Sequence, residues 1–199
     1  MKELIDAYNG KKEIIKNRLE DFKKLNEEDI FYEMCFCLLT PQSKAHTCWS
    51  TVLALKSRDF KNKDFSPANF VNGVRFHNNK TIYLLEAKEK FNLLKDELKE
   101  IKDSFELREW VIENIKGMGY KESAHFLRNI GYNNLAILDR HILKNLKKYN
   151  VINEIPKTLT KKRYLEIEGK FKEFANNVGI SMDELDLLFW SMETGEVFK

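Results

Sequence analysis

Apolar positions recur at helical spacing along nearly the whole chain, and strand-like alternation is nearly absent. Residues 11–25 place Ile14, Ile15, Leu19, Phe22 and Leu25 on one helical stripe. Residues 27–39 carry Ile30, Phe31, Met34, Phe36, Leu38 and Leu39 in a run so apolar that it predicts a central helix. Thr40-Pro41 ends that helix, since the residue before a proline avoids the helical region. Helices follow at 43–56, 78–95, 104–116 (capped by Ser104) and 121–130, the last ending at Gly131. Ser66-Pro67 reads as an N-cap with proline at the first helical position, opening a short helix to Val74. The remaining helices are predicted over 140–149, over 161–177 behind Thr160, and from Ser181 to just before Gly195. Ser181 with Glu184 three residues later is a capping box. No repeat or low-complexity linker interrupts the series. The expected fold class is all-α.

Composition narrows the setting. At 199 residues, with 43% hydrophobic and 33% charged residues, the chain can bury a proper core and belongs with soluble globular proteins. No apolar stretch approaches the ~20 residues of a membrane span. The opening Met-Lys-Glu-Leu-Ile-Asp lacks the apolar core of a signal peptide. A cytoplasmic location without membrane contact is therefore expected. Three cysteines, an odd number, predict free buried thiols in a reducing compartment. A metal site is not expected: Cys35 and Cys37 point to different helix faces, and His46, His77, His125 and His141 lack ligand spacing. His125 reads as structural. A net charge of +3 does not by itself establish a nucleic-acid partner, because most lysines alternate with glutamates.

The chemistry concentrates in residues 115–131, Ile-Lys-Gly-Met-Gly-Tyr-Lys-Glu-Ser-Ala-His-Phe-Leu-Arg-Asn-Ile-Gly, where two helical patterns meet at a Gly-x-Gly turn. Gly117 and Gly119 can take conformations closed to other residues and bring their N–H groups close to an anion. The following helix N-terminus adds unpaired donors and partial positive charge, which suits a phosphate. A cation in the first turn, Lys121, opposes the helix dipole; that favours the neutral amine, and a neutral amine is a nucleophile. Asp139 opens the next amphipathic run. The same residues also admit a plain reading: an ordinary αα-hairpin turn, a solvated lysine, and an aspartate that only caps the helix from Arg140.

Lys121 behind Gly-x-Gly, with Asp139 at that distance, resembles the helix–hairpin–helix of base-excision DNA glycosylases. Lysine stands where the bifunctional members carry their Schiff-base residue. The end of the chain, Phe189-Trp-Ser-Met-Glu-Thr-Gly-Glu-Val-Phe-Lys199, resembles the archaeal-type 8-oxoguanine DNA glycosylase/AP lyases. The likeness runs from the Thr-Pro-Gln turn to Lys199.

That resemblance implies a two-lobed fold, with a barrel over 27–135, a lobe made of 1–26 and 136–199, and a cleft between them. It implies excision of 8-oxoguanine followed by β-elimination, with Lys121 attacking C1′. Asp139 would stabilise the sugar cation and orient or deprotonate that lysine. The implied partner is double-stranded DNA containing oxidised guanine, bound by a monomer without cofactor. A monovalent cation at the hairpin carbonyls is a further implication. Gln42 matches the residue that fills the gap left by the flipped nucleotide, and otherwise it is an exposed turn residue. Gly117, Gly119 and His141 match phosphate contacts. Trp190, Lys199 and Phe76 match base recognition, although Trp190 and Phe76 also read as core. In the segment from Gly73 to Lys80, Arg75 and Lys80 are candidates for phosphate and His77 for the pocket wall. Asn133-Asn-Leu-Ala136 departs from the Gly/Pro-rich loop of the classical branches. Two alternatives stay open: a glycosylase for another damaged base, and a non-catalytic helix–hairpin–helix DNA-binding module.

Overall fold

The computed structural model describes residues 1–199, which form nine α-helices and one 3₁₀ turn, with no strand. Contacts divide the chain into two compact units, residues 25–126 and residues 1–24 with 127–199. The second division falls inside a helix, between Phe126 and Leu127.

In the unit of residues 25–126, helix α2 (Glu27–Leu39) is buried at every position from Phe31 to Leu39. Asn26 Oδ1 accepts the Asp29 N–H at 3.0 Å, and Glu27, Glu28 and Asp29 suit the positive end of the dipole. The helix packs on α3 (Ala45–Ser57) and α4 (His77–Glu100). Phe31 meets Phe91 of α4 edge-on at 5.0 Å between ring centres. Each such buried ring contributes roughly 1.5–3 kcal/mol. Helix α5 (Ser104–Asn114) packs on α4 and leads into α6 (Tyr120–Asn129).

In the other unit, α9 (Met182–Thr194) packs on α1 (Lys2–Phe22), α7 (Arg140–Lys148) and α8 (Lys161–Val178). The rings of Phe171, Phe189 and Tyr149 stack in series at 6.2 and 5.8 Å. Arg128, fully buried, donates to Asp186 at 3.0 Å and lies over the Phe22 ring. No helix is long and apolar enough to cross a membrane.

Four local readings need correction. Helix α1 begins at Lys2 and runs through Gly10, where an exposed glycine costs only about 1 kcal/mol, too little to break a helix anchored by Leu4, Tyr8, Ile15 and Phe22. Ile14, placed on the apolar stripe from sequence, is exposed. The cap of α5 is Asp103 rather than Ser104: its Oδ1 accepts the N–H groups of Phe105 and Glu106, both at 2.9 Å. Ser66-Pro67 opens only a 3₁₀ turn, Pro67–Asn69, rather than a helix to Val74.

Candidate active site

The turn between α5 and α6 is held by the Met118 N–H on Ile115 O and the Ser123 N–H on Gly119 O. Gly117 sits at a φ of 92°, and a Cβ there would stand 2.5 Å from the Tyr83 ring, so both conformation and space demand glycine. Gly119 differs. Its φ lies outside the left-handed region, and a Cβ would meet only Glu122 Oε2, at 3.2 Å. The glycine expected to serve the backbone therefore serves a carboxylate. Arg108 of α5 lies over the Tyr120 ring, and Tyr120 Oη donates to Glu109, which ties α6 to α5.

Lys121 stands in the first turn of α6, partly exposed, with Nζ 3.0 Å from Glu122 Oε1. The electrostatic misplacement expected of a cation at this helix end is offset by that ion pair. A second lysine is close by: Lys80, only 3% exposed, whose ammonium is pushed down to about 8 by burial and by the charge of Lys121. Cys48 of α3 feels both lysines, but burial holds its thiol up at about 11, so it stays neutral and donates to Leu39 O at 3.2 Å.

Lys80 does not reach for phosphate. Its Nζ donates to Leu39 O and Pro41 O, each at 2.7 Å, and to Ser43 Oγ at 3.0 Å. Those bonds pin the turn after α2, where Gln42 stands exposed with a φ of 55°. Ser43 Oγ also accepts the Arg75 N–H at 3.1 Å, which fixes the segment carrying Phe76. Phe76 is 51% exposed with a φ of 60°, so it is not core. Its ring lies under the Arg75 guanidinium and borders a shallow pocket shared with His77. A left-handed conformation at a non-glycine residue is costly and persists only where surroundings enforce it; here two exposed residues share one polar clamp.

The other unit carries its own cluster. Asp139 caps α7, its Oδ1 accepting the N–H groups of His141 and Ile142, each at 2.8 Å. Both bonds fall on one oxygen, which leaves Oδ2 for another partner. The His141 ring packs edge-on against Trp190 of α9 at 5.1 Å, with Glu193 Oε2 3.9 Å from Nδ1. Trp190 is only partly buried, yet its Nε1 has no hydrogen-bond partner. Lys199 is partly exposed in the coil after α9. His125 is buried against Phe36 at 5.7 Å, a structural position. No group of three or more His, Cys, Asp and Glu side chains is placed to hold a metal ion.

Glu122 escaped the sequence reading as a member of the site. Lys80 was named there for phosphate, and its buried role had a signal: it is in phase with Leu84, Ala87, Phe91 and Leu94, the buried stripe of α4.

Comparison with known proteins places this geometry in a family. The profile described as 8-oxoguanine DNA glycosylase, of helix–hairpin–helix type, matches residues 15–180. An 8-oxoguanine DNA glycosylase/AP lyase of Fusobacterium nucleatum is 48% identical, over 99% of this chain and 96% of its own. The structure of the Methanocaldococcus jannaschii 8-oxoguanine glycosylase/lyase, in complex with a 15mer DNA containing 8-oxoguanine, superposes with a TM-score of 0.89 at 35% identity, covering all of both chains. The 8-oxoguanine DNA glycosylase of Thermotoga maritima gives 0.90 at 35% identity, over all of this chain and 97% of that one. With match, identity and coverage at these levels, the chain belongs to the helix–hairpin–helix 8-oxoguanine DNA glycosylase family.

Proposed function

We propose that this protein, an 8-oxoguanine DNA glycosylase with abasic-site lyase activity, works through Lys121 as nucleophile and Asp139 as electrostatic partner. Its substrate is double-stranded DNA carrying oxidised guanine, bound by a monomer. The turn at Gly117 and Gly119 grips a phosphate through N–H groups and the α6 dipole, which carries no sequence information. A monovalent cation at the hairpin carbonyls would add to that grip.

The reacting base must leave the stack, and Gln42 fills the space behind it. An amide suits this role because it both donates and accepts. Lys121 Nζ attacks C1′ as the bond to the base breaks. Asp139, ionised and fixed by its cap bonds, stabilises the positive sugar. The C1′–O4′ bond then breaks, O4′ taking a proton as the sugar opens, and the resulting imine acidifies the neighbouring C–H, so the same lysine carries the elimination of the 3′ phosphate. The reading needs no redox cofactor.

For recognition, the Trp190 ring stacks on the extruded base, and Lys199 completes the base pocket through its amine or its carboxylate. Phe76 walls the pocket, and His141 contacts the backbone. 8-Oxoguanine differs from guanine by a proton on N7, so an acceptor aimed there is satisfied by the lesion alone. Facing guanine it meets a lone pair, a buried mismatch of about 1–3 kcal/mol.

The observation that carries the assignment is Lys121 in the first turn of α6 directly behind the left-handed Gly117. Borohydride trapping on a duplex containing 8-oxoguanine tests it. Wild type forms a covalent adduct and Lys121→Gln forms none while still binding DNA. Absence of any adduct with wild type would leave the non-catalytic binding module in its place.

A further inference from the structure

A lysine attacks carbon only after losing a proton, and the structure shows which neighbour is placed to take it. Glu122 Oε1 lies 3.0 Å from Lys121 Nζ, and the Glu122 side chain is only 15% exposed. Its second oxygen occupies the space that a side chain at 119 would fill. Two independent features thus converge on this carboxylate: its contact with Nζ, and a glycine whose backbone conformation does not require glycine. Two further titratable groups near the pair are the Lys80 ammonium on α4 and the neutral Cys48 thiol on α3.

We infer that Glu122 is the general base of the reaction, a catalytic residue that removes the proton from Lys121. This rests on the assignment of Lys121 as nucleophile. An N–H bond of Nζ breaks and an O–H bond forms on Oε1, so an ion pair becomes a neutral pair and the lone pair of the amine is freed. Nζ then bonds to C1′ while the bond from C1′ to the base breaks. Its electrons leave with the base, which takes a proton from water.

In water this transfer is uphill, since a free glutamic acid is a far stronger acid than a free lysine ammonium. DNA binding opposes that difference. Bound DNA covers the pair, and desolvation penalises two charges far more than two neutral groups. Proton transfer is therefore coupled to binding: the lysine stays paired and unreactive until the duplex excludes water.

The test is single-turnover borohydride trapping at a preformed abasic site, which reads imine formation without base recognition, for wild type, Glu122→Gln and Glu122→Asp. Glutamine keeps the size and still accepts a hydrogen bond from Lys121, but it is not a base. Trapping by Glu122→Gln should slow on the order of 10²-fold. Its affinity for abasic DNA and its melting temperature should stay near wild type, and Glu122→Asp should recover much of the rate. Wild-type trapping by the glutamine variant, or equal losses in both variants, would show that Glu122 only positions the lysine. An absent adduct with wild type would instead remove the nucleophile assignment itself.

Discussion

The ammonium of Lys80 lies 2.7 Å from the carbonyl oxygen of Pro41, one residue before Gln42. The bond joins a buried charge in α4 to the residue that precedes the left-handed, exposed Gln42. Replacing Lys80 with Met removes three donors, while Leu39 O keeps the Cys48 thiol and Pro41 O keeps the Ser43 hydroxyl. With each carbonyl retaining one weaker partner, a stability loss of about 1–3 kcal/mol is expected in urea unfolding. Because the same bonds set the Gln42 turn, affinity for lesion-containing duplex should also fall. A variant with native stability would show that the turn holds itself.

The same lysine gives a pH signature with a definite sign. Its folded pKa, about 8, lies below the ordinary value of 10.5, so between those limits the unfolded chain binds more protons. Stability of wild type relative to Lys80→Met should therefore rise as pH increases from about 8 to about 10.5, and be flat below. Melting temperatures of the two proteins at pH 7 and pH 10 provide the check. A difference that shrinks with pH would contradict the burial of the charge.

Gly117 and Gly119 should separate on substitution. Gly117→Ala forces a side chain into the left-handed region and against Tyr83, so a loss of about 2–4 kcal/mol is expected together with weaker DNA binding. Gly119→Ala meets only the end of the Glu122 side chain, so folding should be nearly unaffected. Its borohydride trapping should nevertheless slow, because the carboxylate is displaced from Lys121. Thermal melting beside trapping rates distinguishes the two, and equal behaviour would refute their different roles.

Much of this was legible in the sequence because the relevant signals are local. The capping box at Ser181, the proline after Thr40 and the glycines around α6 each act within a turn of helix. The same locality limits what could be read. Asp103 and Ser104 are both good caps, and only the backbone decides between them. Ile14 and Ile15 both fit an apolar stripe until tertiary packing selects one. Gly119 looked like a backbone residue because its real neighbour is a rotamer of Glu122. Lys80 looked like a phosphate ligand because a lysine is rarely buried, although its phase with Leu84 and Phe91 pointed inward.

Asp139 combines a cap with a charge, and two substitutions pull these apart. Asp139→Asn keeps an oxygen for the N–H groups of His141 and Ile142, so stability should change by less than about 1 kcal/mol. Excision of 8-oxoguanine should still slow by about 10²-fold or more, because the positive sugar loses its counter-charge. Asp139→Ser also keeps a capping oxygen and should be as stable and as slow. Single-turnover rates set beside urea midpoints test both. An asparagine variant with native turnover would confine Asp139 to its cap.

Trp190 offers the sharpest test of base recognition, because its ring and its N–H make opposite predictions. The ring meets His141 and is only partly buried, whereas Nε1 is buried without a partner. Trp190→Phe keeps an aromatic face and removes an unsatisfied donor, so stability should hold or rise and excision should remain within a few-fold. Trp190→Ala removes the stacking surface, worth about 1–3 kcal/mol per base, which corresponds to a loss of 8-oxoguanine excision of roughly 5- to 150-fold. Cleavage at a preformed abasic site should be spared, because that step needs Lys121 but no base to stack. The ratio of excision to abasic-site cleavage in each variant is the quantity to measure. If alanine lowers both rates equally, Trp190 supports the fold around Asp139 and His141, and Phe76 becomes the stacking surface to test next.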